Sequence, residues 1–539
     1  MVQLGLALIA GLAVAQTAPP TTDPAQLQRQ REELERQRQQ RPAAPTDPKL
    51  TAPKPEPEGA VPAGPSFVLR KVEFTPSRLL TPEQLDAVVA SQLGKPTTYA
   101  DVRALAQRIN VLYFERGHIT ARAFVPSQKV ADGVLQVRLV EAQLARIDRP
   151  ENSRLSDDFL ASLIGTPVGE LIVVPEINDR LERLHRNTDT RVALNFVPAD
   201  TKTAGQSVIK VQVEEPPFWT ARASLSNEGA DSLGREQLSI NAALNNLWGR
   251  TDRLSLLAIG SKGSLSANLQ YSLPLPGPFM RWGTRFTGGL SHGKTQAVSP
   301  GFETIKLDGN SDSYTLALAQ PVWSHGVWSV DGGLSFNSSR SVTDIAAERF
   351  SNVRTDSTGL SVTGARVSEG SSLSATLTAV SAKATAVGVP ARRATVKQLN
   401  LNGQQLVAEG WWLQGRASAQ TSGEIQLPTA LQFQIGGPGN VRGYTSPTAS
   451  GDQGHTASLE LHHLFAERYD AYVFADEGST RTENAATTKL ASAGLGLNWT
   501  SERWSVSAAI ASPQRIVLGQ DKSNKFLLRL SADLEKLWP

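Results

Sequence analysis

After Pro216-Pro217, helical patterns stop and period-2 segments run to the end of the chain at residue 539. "FWTARASLSN", "EQLSINAALNN", "DRLSLLAIGS" and "SLSANLQYSL" open the series. "ASLELHHLF", "DAYVFADEG", "LASAGLGLNW", "WSVSAAIAS" and "FLLRLSADL" close it. Gly, Ser, Thr and Asn alternate with Leu, Ala, Val and aromatics, so each strand has one apolar and one polar face. With a further candidate near 357–368, about 16 strands are expected, at roughly 20 residues per strand and connection, ordinary for a membrane barrel. A soluble propeller or β-helix would show a regular blade or coil repeat, and no such repeat supports either. No window holds ~18 uninterrupted apolar residues, so no helix is expected to cross a membrane. The expected fold is mainly β, with a 16-stranded transmembrane β-barrel over 217–539.

The start of the chain reads as export. "LGLALIAGLAVAQ" is a short apolar run ending in Ala13-Val14-Ala15, an A-x-A cleavage pattern, so 1–15 are expected to be a signal peptide. Within 16–41, "DPAQLQRQREELERQRQQR" reads as a helix with Asp23 as cap and Pro24 in the first helical position. Leu27 and Leu34 are its only large apolar residues. It suits either solvent or a water-filled lumen, and its roughly 18 residues at 1.5 Å rise would reach about 27 Å, close to a bilayer core. Residues 42–65 form a Pro-rich, extended linker able to span some 70 Å at ~3.1 Å per residue.

Two copies of one element order follow. Over 66–142 the pattern is a strand, "FVLRKVEF", two helices, "TPEQLDAVVASQLGK" and "YADVRALAQRINVLYFERG", and two strands, "ITARAFVP" and "VLQVRLVEA". Over 143–216 the same β-α-α-β-β order returns in "LARIDR", "SDDFLASLI", "VPEINDRLERLHRN", "RVALNFVP" and "SVIKVQVEE". Neither copy carries residues that look catalytic.

Chemistry is sparse elsewhere. With no cysteine, thiol catalysis, disulfides and thiolate metal sites are excluded. A net charge of +3 supplies no field that suggests nucleic acid. "GGLSHGKT", Gly288 to Thr295, fits both a phosphate-loop and a nucleophile-elbow pattern, but each needs a strand-to-helix turn, and "TQAVSPGFETIK" has no helical period. A strand end and loop is the expected structure there. His462 and His463 are adjacent on a strand and face opposite ways, which does not suit a shared metal. No cofactor, metal site or enzyme activity is expected.

The stretch "GGPGNVRGY", Gly436 to Tyr444, has the composition of a tight turn, yet it holds Arg442. Downstream, "YVFADEG" places Tyr472, Phe474 and Asp476 on one strand face, and Val473 and Ala475 on the other. Val and Ala suit lipid, whereas an ionised Asp at membrane depth must face the lumen and find a cation. Arg442 is the candidate, since its guanidinium can fork onto a carboxylate.

The pair Val441-Arg442-Gly443-Tyr444 and Phe474-x-Asp476-x-Gly478 resembles the paired motifs of the two-partner secretion transporters, the TpsB family of haemolysin secretion/activation proteins. "FVPSQKVADGVLQVRLVEA", "NNLWGRTDRLSL" and "YSLPLPG" extend the resemblance over nearly all of the mature chain. It implies a plug helix, a linker, two periplasmic polypeptide-transport-associated (POTRA) domains and a 16-stranded outer-membrane barrel. A long loop at about 422–455 would enter the lumen. It also implies partners: a secreted TpsA-type exoprotein (adhesin, cytolysin or contact-dependent toxin), outer-membrane lipid, and the barrel-assembly machinery for its own insertion. The implied function is translocation of an unfolded exported polypeptide without nucleotide hydrolysis. An insertase of the same superfamily is the alternative.

Overall fold

The computed structural model describes residues 66–199, 205–277, 279, 282–298, 306–423, 427–482, 486–517, 520 and 522–537. The signal peptide at 1–15, the plug helix at 16–41 and the linker at 42–65 lie outside the described residues.

The first unit comprises β1 (Phe67–Val68), β2 (Lys71–Phe74), α1 (Pro82–Val89), β3 (Pro96–Thr97), α2 (Tyr99–Glu115), β4 (Arg122–Phe124) and β5 (Val134–Val140). Thr98 and Asp101 form a reciprocal capping box at α2: the Asp101 N–H donates to Thr98 Oγ1, and the Thr98 N–H donates to Asp101 Oδ2. The apolar stripe of α2, Val102, Leu105, Ile109 and Tyr113, packs onto Leu135 and Val137 of β5. α1 stops at Val89, before the Gly94 that its pattern suggested, because a turn carries the chain back to pair β3 with β1.

The second unit repeats the order in β6 (Gln143–Asp148), α3 (Asp157–Ile164), α4 (Val174–Asn187), β7 (Arg191–Pro198) and β8 (Gln206–Glu214). Ile177, Leu181 and Leu184, spaced at helical period on α4, close a core over Val192, Leu194 and Ile209. Both sheets put the last strand of the unit in the centre, in the orders β2-β5-β4 and β6-β8-β7. Each therefore has two edge strands within its own sheet, and the start of β6 is bonded on its outer side by residues 169–172.

Sixteen strands among the described residues close a barrel. They are β9 (Trp219–Ser226), β10 (Gln237–Asn245), β11 (Arg253–Ser261), β12 (Ser264–Pro274), β13 (Arg285–Gln296), β14 (Leu307–His325), β15 (Trp328–Ile345), β16 (Glu348–Ser368), β17 (Ser371–Ala386), β18 (Val389–Ala408), β19 (Trp411–Ser422), β22 (Gln453–Phe465), β23 (Tyr469–Arg481), β24 (Thr488–Thr500), β25 (Trp504–Pro513) and β26 (Lys525–Asp533). Two short strands, β20 (Phe433–Ile435) and β21 (Ala449–Gly451), pair with each other between β19 and β22. β26 meets β9 through only five register positions, Arg529↔Ser226 to Asp533↔Arg222, and Arg222 forks onto Asp533 there.

The wall is apolar outside. Outward positions on β9 to β12 include Leu225, Leu238, Ile240, Leu256, Leu265 and Leu269, all exposed. Exposed Trp219, Trp248, Trp282, Trp323, Trp328, Trp411 and Trp504 gather at one end, the end where β8 leads into β9. A band of aliphatic residues edged by aromatics is what a barrel shows to a bilayer and its interface. β14 to β18 run to 19, 18, 21, 16 and 20 residues. A span needs about 9–11, so these strands continue beyond the lipid.

Two expectations need correction. The candidate strand near 357–368 is the closing half of β16, which starts at Glu348. Its opening half, "ERFSNVRTDS", lost the alternation signal because strands beyond the lipid are wet on both faces. Gly288 to Thr295 lies wholly inside β13 and pairs on both sides, Gly288 with Tyr271 and Leu316, and Thr295 with Ser264 and Gly309. It is neither a loop nor a strand-to-helix turn, so it can cradle no phosphate and expose no elbow serine.

Candidate functional site

The segment between β19 and β22 folds back inside the barrel. Leu427 packs on the inward residues Ala394 and Val396 of β18. Ile435, Val441 and Tyr444 form a dry cluster with Leu490 of β24. The tip is shaped by Asn440, whose Oδ1 accepts from the Gly436 N–H at 2.8 Å and from the Val441 N–H at 2.8 Å. This side-chain turn holds Arg442 against the wall.

Asp476 of β23 is fully buried, and Arg442 sits on it. Arg442 Nε donates to Asp476 Oδ2 at 2.8 Å, Nη2 to Oδ1 at 2.6 Å, and the Arg442 backbone N–H to Oδ2 at 3.1 Å. Hydroxyls of Ser458 and Ser492, on the strands either side, donate to the same carboxylate at 2.8 and 3.1 Å. The carboxylate lone pairs are thus filled by charge-assisted bonds, the condition a buried ion pair needs. The guanidinium carbon also lies 3.5 Å from the centroid of the Phe474 ring.

The remaining motif residues lock the loop in place. Tyr444 OH lies 3.0 Å from the Ala491 carbonyl and 2.9 Å from the Arg515 carbonyl, and it accepts from the Arg515 N–H at 3.1 Å. Gly443 is obligatory, because a Cβ there would stand 2.8 Å from Ser492 Cβ and 2.9 Å from Pro513 N. Gly478 lies on the lumenal face of β23, where a Cβ would stand 3.1 Å from Val441 Cγ2.

The structure adds partners that sequence reasoning missed. Arg442 Nη1 lies 2.9 Å from Glu460 Oε1, and Arg416 Nη2 lies 2.6 Å from the same oxygen. His462 stands between Glu460 and Asp470, with Nε2 3.0 Å from Glu460 Oε2 and Nδ1 3.0 Å from Asp470 Oδ1. Its ring stacks between Trp412 and Tyr472, with centroids at 4.8 and 4.9 Å. Gly494 supplies the seat for Phe474: a Cβ there would be 2.4 Å from the ring Cζ. Parity could have placed Ser458, Glu460 and His462 on the Asp476 face, since the strand register pairs Ser458 with Asp476 and Glu460 with Phe474. As expected from adjacency, His463 points away and stacks on Trp411. Among the described residues no group of His, Cys, Asp and Glu suits a metal.

The model of the haemolysin secretion/activation protein ShlB/FhaC/HecB family matches residues 205–499. The chain belongs to this family. A ShlB-type POTRA domain model matches residues 67–142. The outer membrane transporter CdiB of Dickeya dadantii is 27% identical over 301 residues, covering 56% of this chain and 53% of that protein. The alignment thus spans about half the length of that transporter. The heme/hemopexin transporter protein HuxB of Haemophilus influenzae is 21% identical over 463 residues, covering 80% of each. In fold, the chain matches CdiB from Escherichia coli with a TM-score of 0.70 at 20% identity, over 96% of this chain and 100% of that one. The barrel sits in the bacterial outer membrane, and the amino-terminal units lie in the periplasm. The Trp-rich rim is therefore the periplasmic one.

Proposed function

We propose that the chain carries an unfolded exported polypeptide, a TpsA-type exoprotein, from the periplasm through its barrel to the cell surface. The reading rests on one observation: a loop folded into the lumen and clamped by Arg442 on buried Asp476, in a barrel preceded by two small domains with free sheet edges. The edges at β2 and β4 in one unit and at β7 in the other suit strand addition by an extended client, whereas the start of β6 is already bonded by residues 169–172. Main-chain pairing gives affinity without a strict sequence demand, as passing a long chain requires. Folding outside removes unfolded chain from the exit and supplies direction without nucleotide. In this reading Val441, Arg442, Gly443, Tyr444, Phe474, Asp476 and Gly478 form a conformational lock, and no step is catalytic.

Relatives named as transporters of haemolysin and of heme/hemopexin support a secreted partner. Deleting the gene and comparing culture supernatants tests the proposal. Loss of one large secreted protein is the expected result, whereas depletion of many outer-membrane barrel proteins would favour the insertase alternative. Arg442→Ala is expected to abolish secretion while the barrel still inserts, and exchanging the charges of Arg442 and Asp476 is expected to restore part of it. Normal secretion by Arg442→Ala would sink the lock.

A further inference from the structure

The outward face of the barrel is not apolar throughout. On β15 to β18 it carries Arg340, Arg354, Lys383, Arg393 and Lys397, all exposed. Parity puts each on the same side as the exposed Leu334, Leu360, Leu377 and Leu399 of its own strand, the side that meets lipid. Outward positions on β9 to β12 hold no Lys or Arg.

Depth places these cations at an interface. About twelve residues separate Trp328, at the periplasmic rim, from Arg340 on the same strand. At ~3.3 Å per residue and a tilt near 40° they climb about 30 Å, just past an apolar band about 25 Å tall. Arg366, over Trp328 at the periplasmic rim, stands the same distance from Arg354 along β16.

Register then sets like charges face to face: Arg340 opposite Arg354, and Lys383 opposite Arg393. Like charges directly across a sheet repel. Two acids share these rows, Asp312 opposite Arg340 and Asp356 opposite Lys383, against the five cations. Asp356 takes Arg354 Nε at 3.2 Å, and Asp312 is taken by His292 at 2.7 Å. An anion bridging the rows would relieve the repulsion.

A cleft of about 520 Å³ opens on the same face. Leu256, Leu269 and Leu290 line one end; His292, Arg340 and Arg354 line the other, together with Asp312, which His292 engages. One end is built for a hydrocarbon chain and the other for a charged group, at the depth where a bilayer changes from one to the other.

We propose that this face binds a phosphate-bearing lipid of the outer leaflet, its phosphate between the opposed cations and an acyl chain in the leucine-lined cleft. The site is independent of what crosses the lumen. The test uses the full chain purified in detergent micelles and native mass spectrometry. Probes are bisphosphorylated lipid A, dephosphorylated lipid A, phosphatidylglycerol and inorganic phosphate. Lipid A is expected to bind at least about tenfold more tightly than its dephosphorylated form, and to be released as salt screens the charges. R340S/R354S/K383S/R393S is expected to lose about tenfold in affinity, and R340K/R354K to bind as the wild type does. Heat-modified gel mobility verifies folding of each variant. If the fourfold variant does not fold, the two lipid A forms on the wild-type chain decide the matter. Equal binding of both forms, or unchanged binding by a folded fourfold variant, overturns the proposal. Displacement of lipid A by equimolar inorganic phosphate would assign the site to free phosphate and overturn the lipid reading. Phosphatidylglycerol binding at the lipid A affinity would keep the phosphate and acyl site and widen its ligand to phospholipids.

Discussion

The periplasmic units and the barrel use the same amino acids in opposite ways. In the second unit Leu155, Phe159, Ile177 and Leu181 are hidden from water, and charges stay outside. In the barrel Leu225, Leu265, Leu360 and Leu495 are exposed, while Arg442, Glu460, His462 and Asp476 are buried. The units fold because apolar surface leaves water. The barrel wall gains from lipid instead, and its interior must satisfy every polar group by pairing. A leucine therefore means a core in one region and a bilayer contact in the other, and in the barrel interior five donors converge on the buried Asp476 carboxylate.

The largest way to break the contrast is to unpair the barrel interior. Asp476→Ala leaves Arg442 buried beside Phe474 with Glu460 and the Ser458 hydroxyl, and is expected to cost about 3–5 kcal/mol of loop closure. Protease sensitivity of the segment 423–452 in intact cells should rise sharply. Unchanged protection would show that Tyr444 and the dry cluster hold the loop alone.

The leucines give the most direct comparison. Leu181→Ala in the α4 core is expected to cost about 2–5 kcal/mol, because it opens a cavity. Leu360→Ala on the lipid face of β16 should cost far less, since lipid tails fill the gap. Urea unfolding of the two variants, followed by hydrogen exchange resolved by region, measures both. Equal losses would refute the assignment of an outward lipid face.

Polarity on the lipid side sharpens the same point. Val473, next to Phe474 on β23, is exposed outward. Val473→Arg is expected to destabilise the barrel by about 2–4 kcal/mol, as for a cation near the bilayer midplane. Loss of the heat-modifiable gel form at lower temperature reads the effect.

The smallest expected effect lies at the joint between the two regions. Burial pushes the Glu215 carboxyl up, but bonds from Asn246, Arg154 and Ser153 outweigh burial and hold it below the usual carboxylate range. A depressed folded value means that its stabilisation is complete above the unfolded pKa, near ~4.3, and is lost as the pH falls toward the folded value. Exchange of the Ser156 amide, which donates to the Gly249 carbonyl across the joint, should therefore quicken in acid. Glu215→Gln should remove that dependence, and an unchanged acid profile in the variant would place the titration elsewhere.

Much of the fold and part of the site are legible in the amino-acid sequence. Helical stripes such as Ile177, Leu181 and Leu184 mark the unit cores, because one face of a helix must be apolar to pack. Parity in "YVFADEG" separates Val473 and Ala475 from Phe474 and Asp476, because strand side chains alternate. The opening half of β16 is not legible, since alternation fades where both faces are wet. The wall partners of Arg442 are legible only in part. Parity sets Glu460 and His462 on the lumenal face, but nothing local says that Arg416 on β19, Trp412 beside it and Asp470 on β23 surround them.

Local chemistry thus determined the element types, the two faces of each strand and the need for a cation at Asp476. Sequence reasoning also named Arg442 as that cation; tertiary structure alone decided how Glu460 and His462 joined the network, and which outward cations came to face one another on β15 to β18. Those outcomes depend on closing loops and fixing register between strands far apart in the chain. A period of two specifies the face of a side chain, but not its neighbour.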